Sequence, residues 1–202
     1  IEEIVDAACD GLYGDKKLIL CGLYGEHPDV LDKLVEVANT RPKVVGIDLA
    51  GMPQDSHYYS IMDYSDAFTK ARRYDLGRTV HAGEGRPPSE IDVAINFLHA
   101  QRIGHGLSVL DDWKTVDLVR NNDIIIEACL TSNYHTGVIE DYSYHPMRLW
   151  YDNDIKFTLC ADNILLSQTT LEDECYLASI HCGLTKQEIR QTQFWANQKL
   201  FS

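Results

Sequence analysis

The sequence predicts an α/β fold, a parallel (β/α)8 barrel of the TIM type of which about six β/α units are present. Two observations carry this prediction. Short apolar runs of Val, Ile, Leu and Cys alternate with amphipathic stretches, as repeated β-α units require. Several runs also end at polar residues, and parallel barrels carry their active-site residues at the carboxyl ends of their strands.

Six apolar runs are predicted strands: residues 17–23, 44–49, 78–82, 102–105, 124–130 and 156–161. Their nearly continuous apolar character is typical of parallel strands that are buried on both faces. An open doubly wound sheet is disfavoured, because its first strand is usually followed by a G-x-G-x-x-G loop. The first run here continues instead as Leu-Cys-Gly-Leu-Tyr-Gly.

Helices are predicted between the strands, where apolar residues recur at helical spacing: residues 29–39, 89–100 and 111–121. Ser89 is the expected N-cap of the second of these. The longest irregular stretch is expected at 132–141. A last helix should begin after Thr185, because Glu188 stands where a capping box needs it.

Length and charge limit the function classes. With 202 residues, the chain is shorter than a complete barrel of ~250 residues. We expect residues 1–202 to form a single domain that is incomplete at its N-terminus, since Ile1 begins within an amphipathic pattern without an N-cap. A net charge of −13 and no basic cluster argue against nucleic acid or an anionic membrane as partner.

The six cysteines are scattered, without a C-x-x-C pair. This pattern favours reduced thiols and a cytoplasmic location over a disulfide framework. No apolar run approaches the ~20 residues of a membrane-spanning helix.

Polar residues stand at the ends of three predicted strands. They are His81 and Glu84 after the third, His105 at the end of the fourth, and Asp162 and Asn163 after the sixth. Imidazole and carboxylate groups bind Zn²⁺, and a catalytic zinc site keeps one position open for water. Histidine is also suited to orienting or deprotonating that water. Taken alone, each residue has a structural alternative as a core histidine, a turn residue or an N-cap.

Two further segments follow predicted strands. Gly51 could present its backbone N–H to a flat ring, or it could be an ordinary strand-to-loop glycine. Leu-Thr-Ser-Asn at 130–133 is interpreted as a hydrogen-bonded cluster that fixes a loop.

In combination, these segments resemble the adenosine deaminase family. The resemblance runs from Leu18 to about Ala196. It is carried by His-Ala-Gly-Glu at 81–84, Arg-Ile-Gly-His-Gly at 102–106, Leu-Thr-Ser-Asn at 130–133 and Ala-Asp-Asn at 161–163, in the family's order and spacing.

The resemblance implies a role for each chemical residue. His81 and Asp162 would be ligands of Zn²⁺. Glu84 would share a proton with the purine N1, and His105 would orient and help deprotonate the attacking water. The implied reaction is the hydrolytic deamination of adenosine or deoxyadenosine to inosine, with a purine nucleoside as the small-molecule partner.

The resemblance also implies substrate contacts, with some departures from the family pattern. Gly51 would bind the purine N3 through its N–H, and Asn163 would contact N7. Asn163 stands where many members carry a second Asp, Ala161 replaces the usual Thr, and Ile164 follows where Pro or Arg is common. These departures concern local substrate contacts and leave the metal ligand in place.

The largest departure concerns the family's first strand, which supplies a His-x-His pair to the zinc site. No two of the eight histidines here are separated by one residue. We therefore expect the first two barrel strands to come from elsewhere in the same polypeptide or from another chain. Without them, these residues should bind metal weakly and show no turnover.

Two alternatives stay open. A deaminase of adenine or of a modified adenine nucleotide would use the same chemistry, although only Arg86 lies close after Glu84 to meet a phosphate. A catalytically inactive nucleoside-binding barrel is supported by the absent His-x-His pair. The retention of the other expected polar residues opposes it.

Overall fold

The computed structural model describes residues 1–51, 53–54 and 56–202. Its strands are β1 (Leu18–Leu23), β2 (Val44–Ala50), β3 (Gly77–Ala82), β4 (Arg102–His105), β5 (Ile125–Ala128) and β6 (Phe157–Leu159). The helices are α1 (Glu2–Asp10), α2 (Pro28–Asn39), α3 (Ser65–Arg73), α4 (Ser89–Asn96), α5 (Trp113–Asn121), α6 (Leu130–His135), α7 (Met147–Asp152), α8 (Ile164–Ser167), α9 (Leu171–His181) and α10 (Lys186–Gln198). Strands and helices alternate, which confirms the predicted α/β class and the pattern of a partial TIM-type barrel.

All six predicted strands occur. The fourth has the predicted ends, the first three differ from the prediction by one residue at one end, and the fifth and sixth are shorter than predicted. The fifth ends at Ala128 and not at residue 130, because the chain turns into α6, where the Asn133 N–H donates to the Cys129 carbonyl at 2.9 Å. The stretch predicted to be irregular, 132–141, therefore begins as helix. The sixth strand is confined to Phe157–Leu159.

The backbone packs into two compact units. Unit 1 comprises Ile1–His81, Val93–Gln101 and Phe201–Ser202, and unit 2 comprises Ala82–Asp92 and Arg102–Leu200. A single domain over residues 1–202 stays a prediction.

In unit 1, β1, β2 and β3 are parallel neighbours in chain order. Strand β2 is buried along nearly its whole length, as expected for a strand covered on both faces. Helix α2 packs against β1 and β2 and buries Leu31 and Val35. The register sets Cys21 opposite Asp48, so a charged residue lies within this apolar layer.

An aromatic ring closes a gap in unit 1. Gly46 and Gly77 pair across β2 and β3. A methyl group at Gly77 would lie 2.0 Å from Cγ of Phe201, and one at Gly46 would lie 2.8 Å from its Cδ2. The Phe201 ring therefore occupies space that these two glycines leave by lacking side chains.

In unit 2, β4, β5 and β6 are also parallel neighbours in chain order. Ile103, Ile126 and Phe157 pair across the three strands, and all three are fully buried. Helix α10 packs on β6. It begins with the predicted capping box, in which the Thr185 hydroxyl accepts from the Glu188 N–H and the Glu188 carboxylate accepts from the Thr185 N–H.

Across the described ranges, every helix is too short or too polar to cross a bilayer. The six cysteines, all within those ranges, are free thiols, and of these Cys129 and Cys182 are buried. The cytoplasmic location stays a prediction.

Candidate active site

Unit 1 places a histidine and a carboxylate side by side on neighbouring strands. His81 lies near the end of β3 and Asp48 near the end of β2, with 3.2 Å between His81 Nδ1 and Asp48 Oδ1. Both side chains are largely buried. The Tyr24 hydroxyl donates to the His81 carbonyl at 2.8 Å, which anchors the backbone beneath the ring.

The carboxylate decides which nitrogen of His81 carries the proton. An ionised carboxylate only accepts hydrogen bonds, so Nδ1 donates to Asp48 and the lone pair lies on Nε2. Metal-binding histidines are commonly oriented in this way by a carboxylate. Asp48 also accepts from Cys21 Sγ at 3.6 Å. Partial burial and the Asp48 charge together raise the pKa of Cys21 to about 12.

Gly51 follows β2 directly, with φ at +82°. This left-handed region favours glycine, which gives the position a conformational reason for its residue type. Its predicted contact with the purine N3 stays a prediction.

Unit 2 brings Glu84 and His105 together. Glu84 follows Gly83, where a methyl group would lie 2.7 Å from Ser108 Oγ. His105 ends β4, is 2 % exposed and has φ at +63°. A non-glycine residue held in the left-handed region costs conformational energy and is common at functional sites. His105 Nε2 lies 3.5 Å from Glu84 Oε2.

Asn133 joins these two residues. It is fully buried on α6. Its Nδ2 lies 2.9 Å from Glu84 Oε1 and 3.0 Å from His105 Nδ1. The segment 130–133, interpreted from the sequence as a hydrogen-bonded cluster that fixes a loop, is instead the start of helix α6. The sequence reasoning missed that the Asn133 amide reaches the two residues predicted to be catalytic.

Asp162 lies close to His105. A carboxylate oxygen of Asp162, a ring nitrogen of His105 and Sγ of Cys129 all lie within 4.8 Å of one another. Asp162 has φ at +49°, so it shares the left-handed backbone of His105. A hydrogen bond with Cys160, and then burial, raise the pKa of Cys129 well above its usual value.

These donors fit a zinc ion by their chemistry. Imidazole nitrogen and carboxylate oxygen are ordinary zinc ligands. The Asp48 carboxylate leaves the lone pair of His81 on Nε2, and Asp162 offers an exposed oxygen. In the absence of a metal, the raised pKa of Cys129 keeps its thiol protonated, whereas the thiolate is the form that binds a metal.

Asn163 has a structural role. Its Oδ1 accepts from the Leu166 N–H at 3.1 Å and caps α8. This is the N-cap role that its residue type favours. Its predicted contact with N7 stays a prediction.

The predicted site residues thus fall into two sets. Unit 2 brings Glu84, His105 and Asp162 into one cluster, and unit 1 holds His81 and Gly51. Convergence of the two sets on one ligand stays a prediction. Asp48 was missed by the sequence reasoning, although an acidic residue inside an apolar strand is a detectable signal, because a buried charge needs a partner.

Comparison with known proteins identifies relatives along the chain. The family model for adenosine deaminase matches residues 1–201. The adenosine deaminase of Clostridium kluyveri is 40% identical over 162 residues, which cover 78% of this chain and 45% of the relative. That of Clostridium botulinum strain 657 is 32% identical over 199 residues, covering 94% of this chain and 59% of the relative. The chain spans about half the length of these curated relatives.

Solved structures show the same fold. The N6-methyl-AMP deaminase of Arabidopsis thaliana matches with a TM-score of 0.81 at 28% identity, over 92% of this chain and 54% of that one. An amidohydrolase of Burkholderia ambifaria with bound zinc matches with a TM-score of 0.84 at 22% identity, over 98% of this chain and 55% of that one. An adenine deaminase of Arthrobacter aurescens matches with a TM-score of 0.83 at 19% identity, over 92% and 56%.

Proposed function

The chain belongs to the adenosine deaminase family, and from this premise we propose that it forms part of a zinc-dependent enzyme that deaminates adenosine or deoxyadenosine to inosine. The observation that carries the proposal is the cluster of Glu84, His105 and Asp162 at the ends of parallel strands. It combines the carboxyl group of Glu84, a histidine, and a carboxylate of the type that binds Zn²⁺.

The metal would be held by His81 and Asp162, with further ligands from a His-x-His pair that this sequence does not contain. When bound, zinc would lower the pKa of a coordinated water toward about 7 and so provide hydroxide at neutral pH. Asp48 would support this site by keeping the proton of His81 on Nδ1.

The protein's own groups handle the purine. Glu84 would deliver a proton to N1, which makes C6 more electrophilic and balances the negative charge as water oxygen adds there. His105 would hold the attacking water in place. When the tetrahedral intermediate collapses, the proton of the new C6 hydroxyl passes to N6 and the C6–N6 bond breaks, so that adenosine and water give inosine and ammonia. Gly51 and Asn163 would contact N3 and N7.

A modified adenine nucleotide is the second candidate substrate. It is favoured by the structural match to the N6-methyl-AMP deaminase, at 28% identity. Against it, Arg86 donates from Nε to Glu90 Oε1 at 2.8 Å, so its charge is already paired with a carboxylate. A nucleoside without phosphate suits this arrangement better.

The test completes the chain with a segment of an adenosine deaminase that carries the His-x-His pair of the family's first strand. The absorbance decrease that accompanies the conversion of adenosine to inosine is then measured with and without added Zn²⁺. We expect turnover from the completed chain and none from the 202 residues alone, which lack two zinc ligands. Substantial turnover by the 202 residues alone would contradict the assignment of ligands.

Three substrates separate the alternatives. Adenosine, adenine and N6-methyl-AMP should be compared at equal concentration with the completed chain. Adenosine should give the highest kcat/KM. A higher kcat/KM for adenine or for N6-methyl-AMP would identify that compound as the substrate in place of adenosine. Zinc and inosine binding without turnover of any of them would establish the inactive nucleoside-binding barrel.

A further inference from the structure

Asn133 is held rigidly in unit 2. Its backbone carbonyl accepts from the N–H groups of Val138 and Ile139, both at 3.1 Å, and its own N–H donates to Cys129 at 2.9 Å. Its side chain is completely buried. The backbone of Asn133 is therefore fixed, and the direction of its buried amide is set by the hydrogen bonds of Nδ2.

The Asn133 amide contacts one particular oxygen of Glu84. Nδ2 lies 2.9 Å from Oε1, and the Thr136 hydroxyl lies 3.4 Å from the same oxygen. The Thr136 hydroxyl has one hydrogen and lies closer to the Asn133 carbonyl, at 3.3 Å, so the Asn133 amide is the donor that singles out Oε1. An oxygen that accepts this hydrogen bond is the less favourable place for a proton, so a proton taken up by Glu84 lies on Oε2.

The same nitrogen meets His105. Nδ2 lies 3.0 Å from Nδ1 of the ring. An amide nitrogen can only donate, so Nδ1 must accept. In the neutral imidazole the hydrogen then lies on Nε2, the atom that faces Glu84 Oε2 at 3.5 Å.

The opposite orientation of the amide is less favourable. With the oxygen in the place of Nδ2, it would face Glu84 Oε1 at 2.9 Å, a repulsive contact unless Glu84 carried its proton there. The NH₂ group would then occupy the position of Oδ1, which is buried and has no hydrogen-bond partner among the described residues. Two buried unpaired N–H groups cost more than one unpaired carbonyl oxygen.

We infer that Asn133 is a positioning residue that places the proton of neutral His105 on Nε2 and the proton of Glu84 on Oε2. The catalytic meaning of this inference rests on the proposed function. His105 then orients the attacking water by donating a hydrogen bond, and in its neutral form it has no lone pair on Nε2 with which to deprotonate that water. Proton transfer to the purine N1 goes through Oε2 of Glu84.

The tautomer can be measured on the 202-residue chain without metal or substrate. Two-bond ¹H–¹⁵N correlation spectra of the histidine rings are recorded at mildly alkaline pH, where the rings are neutral. The signal of His105 is assigned by its loss in His105→Gln. The inference requires the pattern of a ring protonated at Nε2, and a ring protonated at Nδ1 overturns it without the need for any other variant.

Asn133→Asp provides the matched change. An aspartate accepts from the ring, so the proton of His105 should move to Nδ1 while the side-chain size is kept. Asn122→Asp is the control, because it makes the same chemical change at an exposed residue whose amide donates to Leu118. Its His105 spectrum should equal that of the wild type.

Kinetics of the completed chain separate positioning from folding. Asn133→Asp should lower kcat for adenosine on the order of 10²-fold, at the lower end of a general acid–base contribution, with KM changed only a few-fold. An unchanged kcat despite a moved proton would overturn the positioning role. If the completed wild type is inert toward adenosine, the proposed function fails, while the spectra still decide the tautomer.

Discussion

Two histidines at strand ends, His81 in unit 1 and His105 in unit 2, are both oriented through Nδ1, but by partners of opposite hydrogen-bonding character. The Asp48 carboxylate accepts from His81, whereas the Asn133 amide donates to His105. The first partner leaves a lone pair on Nε2, and the second leaves a hydrogen there.

The difference shows how one side-chain type serves two tasks. A metal ligand needs a lone pair, and a group that orients a nucleophile by donation needs a hydrogen. Neither task can be assigned from the histidine itself. The hydrogen-bond partner of Nδ1 decides which task the histidine can serve. In both cases this partner lies on a different element of the fold from the histidine.

Removal of the metal-binding histidine should have the largest effect. His81→Ala in the completed chain should release zinc and reduce turnover below detection, because the nucleophile is no longer generated at neutral pH. Zinc content after gel filtration and the adenosine assay measure both. Retained stoichiometric zinc would mean that His81 is not a ligand.

Removal of the proton from Glu84 should have the next largest effect. Glu84→Gln keeps an oxygen to accept from Asn133 but cannot pass a proton to N1, so kcat should fall by ~10²–10⁴-fold with zinc content unchanged. Loss of zinc equal to that in His81→Ala would make Glu84 a structural residue. The proposed proton transfer would then be wrong.

Asp48→Asn tests the partner of His81 directly. The new amide can donate to Nδ1 and shift the ring proton to Nε2, which blocks metal binding there. Zinc affinity should fall by about 10–100-fold, as for other partners behind metal ligands. Asp117→Asn is the control, because it neutralises an exposed carboxylate 3.9 Å from Arg120. Equal zinc affinity in the two variants would show that Asp48 does not set the tautomer of His81 for metal binding.

A third histidine, His145, extends the comparison to stability, where we expect the smallest of these effects. His145 is buried, and its Nδ1 accepts from the Met147 N–H. Burial, with a smaller contribution from His105, lowers the pKa of His145 to about 3. An unfolded histidine takes up its proton near pH ~6.5. Between these values the unfolded chain binds more protons, so the free energy of unfolding falls as the pH falls.

His145→Asn keeps an acceptor for Met147 and removes this titration. Between pH 7 and 5 the wild-type chain should therefore lose ~2 kcal/mol more stability than the variant, at ~1.4 kcal/mol per pH unit below ~6.5. Urea unfolding at both pH values measures it. Equal losses in the two proteins would show that His145 titrates normally in the folded chain.

The sequence predicted what depends on local pattern. Six apolar runs became six strands, and the capping box at Thr185 formed as expected. Glu84 and His105 were chosen as site residues because parallel barrels carry their active-site residues at the carboxyl ends of their strands, and unit 2 brings the two together. Local pattern was sufficient in these cases because each signal lies within a few residues of the element that it defines.

The partners of the two histidines could not be predicted in that way. Asp48 lies 33 positions from His81, and Asn133 lies 28 positions from His105. Such pairs depend on strand register and on the turn into α6. Hydrophobic periodicity predicts neither of these. The end of the fifth strand was misplaced for the same reason, since Leu130 is apolar in either a strand or a helix.

The Phe201 ring that fills the space over Gly46 and Gly77 has a consequence for synthesis. The ring that covers these two glycines comes from a residue more than 120 positions later in the chain. At 5–20 residues per second, the roughly 100 residues between Gln101 and Phe201 take about 5–20 s to make. During this time Gly46 and Gly77 lack the ring that fills the space over them, so this part of unit 1 reaches its final packing well after its own strands have been synthesised.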